Sequence, residues 1–510
     1  MKRRTFVTSA LALGASAGAL PRPLWAATTA APAGAGSASA RELPFVRSDG
    51  KQGVLTAAEV AELRGSLGGT LLTASDDGYD ATRRIWNGAF DRKPALIARC
   101  AGAADVTEAV DFARTHSMLV AVRGGGHSLS GQSVCDGGIM IDLAGMRGLR
   151  VDPESRSAWV QPGVLLGAFD REAQFYGLAT TAGTVSHTGA AGLTLGGGFG
   201  RIARRFALAC DNLKAADVVT ASGKLVKTTE LENPDLLWGL RGGGGNFGIV
   251  TSFQYQLHKV DPMMYGGRLL FNAKDAREIL GFFAGYAAEA PDELCADCGL
   301  GTSEKFGPYL GFDICYSGPL SSAEKVLAPL RTIRKPLVDA LGPALYVKLQ
   351  SSGDDSNAPG ACYYERSGFL KQLNAAVIDA VVSIMEQPHP ADAEMAFVHH
   401  GGAIARVKPE ATAFWHRDAK HTLLVDIGWN GPHNEKARDE ALHWARENWK
   451  AVEKLTDGFY VNTVALDDPH QRIRATYGAN YDRLVALKDK FDPTNLFHMN
   501  ANVPPSKSPA

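Results

Sequence analysis

Apolar runs of strand length alternate along the chain with amphipathic stretches of helical period. Three short apolar runs at 95–100, 118–124 and 137–143 predict strands. The stretch 103–116 predicts a helix between the first two, because its apolar residues recur on one side. Four further segments of this half predict, in order, a strand and helix at 157–179, a hairpin at 215–228, a glycine-ended helix at 233–245 and a strand at 248–257.

The second half mixes longer strands with longer helices. Strands are predicted at 265–271, 310–316 and 421–429, and helices at 276–290 and 435–450. The chain closes with a predicted strand at 458–466 and a predicted helix at 481–491. Strands and helices that mix in this way indicate an α+β fold.

Length and charge narrow the possible functions. The 510 residues exceed what one compact core holds, so two or more domains are expected. The formal net charge is −1 and no basic run stands out, which disfavours a nucleic-acid partner. The mature chain contains no apolar run long enough to span a membrane.

The N-terminus resembles a twin-arginine secretion signal. Arg3 and Arg4 precede a small, apolar stretch, and alanine-rich sequence near residue 27 offers a cleavage site. The twin-arginine translocation machinery is therefore an expected partner, and a periplasmic or secreted location is expected for the mature protein.

The seven cysteines do not form a disulfide framework, because an odd number leaves at least one thiol unpaired. Cys295 and Cys298 form a C-x-x-C within a predicted strand, where their spacing places the side chains on opposite faces. No second pair or histidine completes a metal set, so they are interpreted as packing residues and no metal is predicted.

Glycine clusters carry the strongest chemical signal. Three glycines at 124–126 lead directly into His127, and further clusters occupy 192–200 and 241–248. Glycine lets the backbone approach a bulky anionic ligand, and successive N–H groups can form an anion-binding nest. The pattern predicts a cofactor held from several sides.

Two other motifs fit less well. Gly243, Gly245 and Gly248 match G-x-G-x-x-G, but a helix precedes and a strand follows them, which reverses the dinucleotide-binding order. GHSLS at 126–130 nearly matches the hydrolase elbow G-x-S-x-G, which leaves a serine hydrolase using Ser128 as an alternative.

Read together, these segments resemble the berberine bridge enzyme-like flavoproteins of the vanillyl alcohol oxidase/p-cresol methylhydroxylase superfamily. The subgroup most like this chain is the bacterial one with 6-hydroxy-nicotine oxidase-like enzymes. The segments that carry the resemblance are VRGGGHSLSG (122–131), DGGIMIDL (136–143), GLTLGGGFG (192–200), ADVVTASGKL (216–225), DLLWGLRGGGGNFGIVT (235–251), YVN (460–462) and YDRLVALKDKFDPTNLFHMNANVPP (481–505).

The resemblance implies a two-part FAD-binding domain of the p-cresol methylhydroxylase type and a substrate domain with an antiparallel sheet backed by helices. The expected division is a signal peptide at 1–27, a linker and N-terminal segment at 28–90, the FAD-binding domain at 91–260, the substrate domain at 261–457 and a C-terminal segment at 458–510 that returns to the FAD domain.

The same resemblance implies FAD attached covalently through His127. Relatives with a second link carry a cysteine after the G-T of a later loop, where this chain has Val185, so a single link is expected; Cys135 does not match that cysteine. The implied FAD-binding residues are Arg123, Gly124, Gly125, Gly126, His127, Ser128, Gly183, Thr184, Gly189, Gly192, Gly197, Ile249, Val250, Asn462, Asn500 and Asn502.

The catalytic base is where the chain departs from its relatives. Many read Y-x-N-Y and use the last tyrosine, where this chain has Thr463, a poor general base. Others use a glutamate in the segment matching 401–406, where this chain has Ala405 and Arg406. The remaining candidates are His399, His400 and Tyr460, and the predicted catalytic set is His400, Tyr460 and Thr463.

The resulting hypothesis is an exported FAD-dependent oxidase or dehydrogenase. It takes a hydride from a C–H bond beside an alcohol or amine of a small molecule or sugar and passes electrons to O₂, giving hydrogen peroxide, or to another acceptor. Thr188 is a candidate for an oxygen gate. The alternative from another class is a flavin-holding protein with little turnover.

Overall fold

The first described segment builds a small four-stranded sheet. The computed structural model describes residues 42–465 and 467–507, so the predicted signal peptide and residues 28–41 of the linker and N-terminal segment lie outside the described residues. The elements up to residue 142 are β1 (Leu43–Val46), β2 (Gln52–Leu55), α1 (Ala57–Ser66), β3 (Thr70–Leu72), α2 (Tyr79–Arg83), β4 (Leu96–Arg99), α3 (Ala103–Thr115), β5 (Val120–Arg123) and β6 (Ile139–Asp142). The sheet order is β3-β4-β6-β5, with β4, β6 and β5 parallel. The three strands and the helix predicted here are confirmed.

The next segment forms a five-stranded antiparallel sheet of order β11-β10-β12-β8-β7. Its elements are β7 (Leu149–Asp152), β8 (Ser157–Val160), α4 (Leu166–Phe175), β9 (Leu178–Ala179), α5 (Ala190–Leu195), α6 (Ala203–Phe206), β10 (Leu213–Val219), β11 (Leu225–Thr228), α7 (Pro234–Leu240), β12 (Ile249–Gln256) and β13 (His258–Lys259). The predicted hairpin is the antiparallel pair β10–β11.

Residues 263–452 build an eight-stranded antiparallel sheet with helices against it. Its path is β17-β14-β16-β15-β20-β21-β19, with β18 paired to β14. The elements are β14 (Met263–Asn272), α8 (Ala276–Glu289), β15 (Leu294–Ser303), β16 (Gly307–Tyr316), α9 (Leu320–Thr332), β17 (Val338–Asp339), β18 (Gly342–Leu345), α10 (Tyr346–Gln350), β19 (Cys362–Leu370), α11 (Ala375–Glu386), β20 (Ala393–His399), α12 (Ala403–Arg406), β21 (His421–Trp429) and α13 (Glu435–Val452).

The two faces of this sheet differ in chemistry. On β21, Leu423, Val425 and Ile427 join the apolar core beneath helices α8, α11 and α13. The alternate residues of the same strand point to the other side, where Thr422 and Leu424 line a cavity. One face of the large sheet is thus covered by helices, and the other face borders the cavity. The predicted α+β class is confirmed.

The C-terminal segment contradicts one predicted element. The strand expected at 458–466 does not form over residues 458–465, the part of it that the structure describes; Val461–Thr463 makes a single 3₁₀ turn instead. The N–H and hydroxyl of Thr463 both donate to the Tyr460 carbonyl oxygen at 2.9 Å, so the backbone is satisfied locally rather than by a neighbouring strand. The chain continues through α14 (His470–Tyr477) and α15 (Tyr481–Phe491), and α15 confirms the predicted helix.

Within the described ranges, no helix is long and apolar enough to cross a membrane. The same ranges contain no cluster of three or more His, Cys, Asp or Glu side chains placed to hold a metal ion.

Candidate functional site

A cavity of about 500 Å³ brings the glycine clusters together with the open face of the large sheet. Fifteen of the predicted site residues line it: Gly124, Gly125, Gly126, His127, Ser128, Gly183, Thr184, Gly189, Gly192, Ile249, Val250, Tyr460, Asn462, Thr463 and Asn500. Thr188 lines it as well. The segments are far apart in the sequence, so their convergence is a property of the fold.

Two loops cross in backbone contact on one side of the cavity. A Cβ on Gly125 would lie 2.6 Å from the backbone nitrogen of Gly189, far inside normal contact. Only glycine allows this crossing, which leaves a smooth backbone wall open to a ligand. The wall suits a flat or phosphorylated group.

His127 is held firmly at one end of the cavity. Its ring stacks on Trp86 with centroids 4.2 Å apart, and its Nε2 lies 3.0 Å from Nδ1 of His187. Burial, followed by the charge effect of His187, lowers the pKa of His127 to about 3. The imidazole is therefore neutral near neutral pH, with Nδ1 free of the His187 contact.

Four predicted site residues lie outside the cavity lining: Arg123, Gly197, Asn502 and His400. The side chain of Arg123 is the most firmly held of the four. Its guanidinium binds both oxygens of Asp142, at 2.8 and 2.6 Å, and donates to the carbonyl oxygens of Thr82 and Arg84. These bonds use its donors to fasten the start of the glycine turn, so its role in the structure is to support the wall.

The other two cofactor candidates, Gly197 and Asn502, also lie off the lining. Gly197 has a φ of +126° and packs against Phe414, which places its backbone behind the wall. Asn502 follows the lining residues Asn500 and Ala501, and its buried Oδ1 has no hydrogen-bond partner in the described structure.

The predicted catalytic set does not contain a strong base. Burial raises the pKa of Tyr460 to about 12, and its hydroxyl accepts hydrogen bonds from Gly198 N at 3.0 Å and Asn462 Nδ2 at 2.7 Å. His400 is buried behind the lining, where its Nε2 contacts the Thr422 hydroxyl at 2.9 Å and burial lowers its pKa to about 3. Thr463 has only a hydroxyl, and it is hydrogen-bonded to Tyr460 O.

Several lining residues were missed by the sequence analysis. They include Trp86, Phe199, Asp297, Glu365, Thr422 and Leu424. His399, one of the candidate bases, also lines the cavity. The signal available for Glu365 was its place, beside Arg366, in the middle of the segment CYYERSGFL (362–370), which has apolar or aromatic residues at both ends. Such a residue either faces solvent or faces a site, and the sequence does not distinguish the two.

The cysteines bear out the packing interpretation. All seven are buried and free in the described structure. Cys295 and Cys298 lie on β15 as predicted and join different apolar clusters, which fits opposite faces of the strand. Val185 lines the cavity and Cys135 does not.

The two alternative motifs also have defined positions. The Ser128 hydroxyl accepts the N–H of Gln132 at 3.0 Å, while the neighbouring His127 contacts His187 instead, so this serine has no paired base. The G-x-G-x-x-G follows helix α7 and precedes strand β12, the order the sequence predicted.

Comparison with known proteins identifies two matching family models. Residues 94–229 match an FAD binding domain, and residues 459–504 match the berberine and berberine-like family. Together they cover the first two glycine clusters and the C-terminal lining of the cavity.

Relatives of similar length extend this likeness over nearly the whole chain. (R)-6-hydroxynicotine oxidase of Paenarthrobacter nicotinovorans is 30% identical over 458 residues, covering 87% of this chain and 98% of the relative. An FAD-linked oxidoreductase of Dictyostelium discoideum is 29% identical over 451 residues, covering 88% and 97%.

Solved structures agree. The crystal structure of 6-hydroxy-D-nicotine oxidase from Arthrobacter nicotinovorans matches with a TM-score of 0.78 and 28% identity, covering 86% of this chain and 98% of that one. Berberine bridge enzyme from Eschscholzia californica matches with a TM-score of 0.79, covering 89% and 99%; at 21% identity it supports the fold alone.

Proposed function

Since this chain belongs to the berberine bridge enzyme-like family of FAD-linked oxidoreductases, we propose that it oxidises a small molecule at a C–H bond beside an alcohol or amine. It is an FAD-linked oxidase of that family. Bound FAD would supply the redox chemistry, as hydride acceptor and as donor of the two electrons that reduce O₂ to hydrogen peroxide. The protein positions the substrate and removes its hydroxyl or amine proton.

One observation supports this proposal above the others: the glycine wall and the open face of the large sheet line the same cavity. The crossing of Gly125 and Gly189 leaves backbone exposed where a Cβ would otherwise fill the space, which fits a bulky cofactor. The turn Gly124–Ser128 and the residues Thr184, Asn462 and Asn500 would hold the FAD. The sheet face is then left for the substrate.

We further propose that FAD is attached once, through His127. The neutral imidazole, the stacking of Trp86 and the contact with His187 fix a nucleophilic ring at one end of the cavity. Val185 offers no second thiol for a link.

Acid precipitation of the purified holoprotein tests this attachment. Yellow colour is expected to stay with the pellet, and the intact mass is expected to exceed that of the processed chain by one FAD. His127→Ala is expected to release its flavin into the supernatant, whereas His116→Ala, at the end of helix α3, is expected to keep it. Colour released from the unmodified protein contradicts the covalent link.

Anaerobic flavin bleaching tests turnover against the alternative of a flavin-holding protein. The first two probes are (R)-6-hydroxynicotine and xylobiose, which the names of a relative and of a structural neighbour supply; benzyl alcohol and a cyclic secondary amine extend the panel. Bleaching by any probe, followed by peroxide on admitting O₂, supports the oxidase. An unchanged spectrum with the whole panel favours the flavin-holding alternative.

Export is a separate proposal. The twin-arginine-like residues 1–27 would direct the folded, cofactor-loaded protein to the periplasm or medium. Replacing Arg3 and Arg4 by lysine is expected to retain the protein in the cytoplasm, and unchanged fractionation contradicts this route.

A further inference from the structure

The proposed oxidation needs a group that accepts the substrate's hydroxyl or amine proton. Tyr460 and Thr463 keep their own protons near neutral pH, and His400 lies behind the cavity lining. His399 does line the cavity, but its Nε2 contacts the Ala287 carbonyl oxygen at 3.3 Å and its ring stacks on His421. The acceptor must therefore be sought elsewhere in the lining.

Strand β19 runs along the cavity between its two functional ends. Tyr363, Glu365 and Ser367 are spaced two apart and so share one face of the strand. At one end, Tyr363 stacks on Trp86 at 4.3 Å, and Trp86 in turn stacks on His127.

At the other end of the strand, the hydroxyl of Ser367 lies 2.6 Å from that of Thr463. Glu365 lies between these two contacts and lines the cavity. A ligand that reaches from the His127 end to the Thr463 end must pass this carboxyl.

The Glu365 carboxyl is uncommitted. Its Oε1 is buried without a hydrogen-bond partner, and no Lys, Arg or His nitrogen of the described chain forms an ion pair with it. A buried carboxyl that binds nothing in the fold costs free energy. A buried carboxyl of this kind is best explained where it binds a ligand or carries a proton.

Neighbouring strands place two more carboxyls beside it. Asp426 on β21 is the direct cross-strand partner of Glu365, and Glu394 on β20 is the cross-strand partner of Asp426. Burial, then the like charges of Asp426 and Glu394, raise the pKa of Glu365 well above its ordinary value. The charge of Arg268 opposes the raised pKa of Glu394, while Asp297 lines the cavity from β15. A carboxyl whose pKa is raised is a stronger base than an ordinary carboxylate, which suits general-base work.

We propose that Glu365 is the catalytic base of the oxidation. Its carboxylate takes the proton from the substrate O–H or N–H as the adjacent C–H transfers a hydride to FAD. The substrate thereby loses two electrons and two hydrogens and becomes a carbonyl or imine. FAD gains the hydride, Glu365 gains the proton, and O₂ later reoxidises the flavin. Asp426 and Glu394 are positioning residues that set the pH at which Glu365 works.

This inference rests on the proposed function, and anaerobic stopped-flow bleaching separates the two. The probe is whichever panel compound bleaches the unmodified holoenzyme, beginning with (R)-6-hydroxynicotine. Glu365→Gln is expected to slow the plateau rate of bleaching about 10²–10⁴-fold and to remove the acid limb of its pH profile, with flavin content unchanged. A Glu365→Gln enzyme that keeps both the rate and the limb overturns the proposal.

Asp426→Asn and Glu394→Gln supply matched comparisons within the same carboxyl row. Each removes a like charge, so the acid limb is expected to move to lower pH, further for Asp426→Asn, with the plateau rate retained. A limb that stays in place in both variants contradicts the role of the row. A general structural defect would instead lower the plateau in both without moving the limb.

Infrared titration of the carboxyl C=O band in the holoenzyme gives a readout without substrate. Difference spectra between the unmodified and Glu365→Gln proteins are expected to contain a band that disappears with rising pH and shifts in Asp426→Asn. A band that persists to pH 10 overturns the proposal even if no probe bleaches the flavin, whereas absence of bleaching with an ionising Glu365 counts against the proposed function alone.

Discussion

Gly125 and Gly189 decide at the scale of single atoms whether the cavity can exist. Each would place a Cβ 2.6 Å from a backbone nitrogen of the other. Neither contact can be relieved by rotating a side chain, because both partners are backbone. The two loops would have to separate, and the wall between His127 and helix α5 would open with them.

Gly125→Ala is therefore expected to lower the free energy of unfolding by about 1–3 kcal/mol and to reduce FAD loading. Gly281→Ala is the matched control. Gly281 lies inside helix α8 with nothing within 4 Å of an added Cβ, so alanine there is expected to stabilise by about 0.5–1 kcal/mol. Denaturant unfolding and the ratio of flavin to protein absorbance measure both effects, and equal behaviour of the two variants would refute the crossing argument.

At the scale of elements, helix α15 anchors the C-terminal segment to the glycine loop. Lys488 is fully buried, and its Nζ donates to Asp492 Oδ2 at 2.7 Å, Phe497 O at 2.9 Å and Asn246 O at 3.0 Å. One ammonium thus joins the helix, the segment carrying Asn500 and the loop before β12.

Lys488→Met is expected to destabilise the protein by about 3–5 kcal/mol, because the Asp492 charge is left buried and unpaired. Lys490→Met, on the exposed side of the same helix, is expected to change stability by about 0.5 kcal/mol or less. Chemical denaturation followed by tryptophan fluorescence compares them. A small effect at Lys488 would show that the buried pair contributes little.

The elements that were predicted correctly are those whose secondary structure is determined by the residues of the element itself. Strands β4, β5 and β6 read as continuous apolar runs because they are buried, and α3 shows its period within 14 residues of sequence. The segment 458–466 was wrongly predicted as a strand because its apolar residues suit one. In the structure the Thr463 hydroxyl donates to the Tyr460 carbonyl oxygen, and the Tyr460 N–H donates to the Ser367 hydroxyl, which holds a turn. That contact comes from a residue about 93 positions away, which no local pattern reveals.

The site was predictable to the same extent. The glycine wall could be read from the sequence because each glycine cluster is itself the signal. The side chains on the open sheet face could not, since Asp297 on β15 and Glu365 on β19 reach the same cavity only when β20 and β21 pair between those two strands. Arg123 illustrates a different limit of the sequence. It lies beside the glycine turn, as its place in the sequence indicated, but its ion pair with Asp142 was not predicted.

At the scale of the whole molecule, two sets of buried titratable groups oppose each other. Burial lowers the pKa of three histidines, to about 3 for His400 and His421 and about 4 for His416. Their contribution to stability is lost as pH falls below the unfolded value near 6.5, because only the unfolded chain takes up the proton. Burial instead raises the pKa of Asp170 and Asp426 to about 7. These carboxyls cost stability as pH rises from about 4 to 7, because only the unfolded chain releases the proton.

His421→Leu isolates the histidine side of this balance. Both ring nitrogens of His421 are buried without a hydrogen-bond partner in the described structure, so leucine sacrifices no hydrogen bond. At pH 5 His421 is protonated in the unfolded chain but not in the folded chain. This difference lowers the free energy of unfolding of the unmodified protein by about 2 kcal/mol, and the variant lacks it. The variant is therefore expected to unfold at higher denaturant than the unmodified protein at pH 5, with a smaller difference at pH 7.5. His433→Leu, at an exposed position, is expected to leave the pH dependence unchanged. If the advantage of His421→Leu were the same at both pH values, it would come from packing, and the acid sensitivity of the fold would have to arise from other groups.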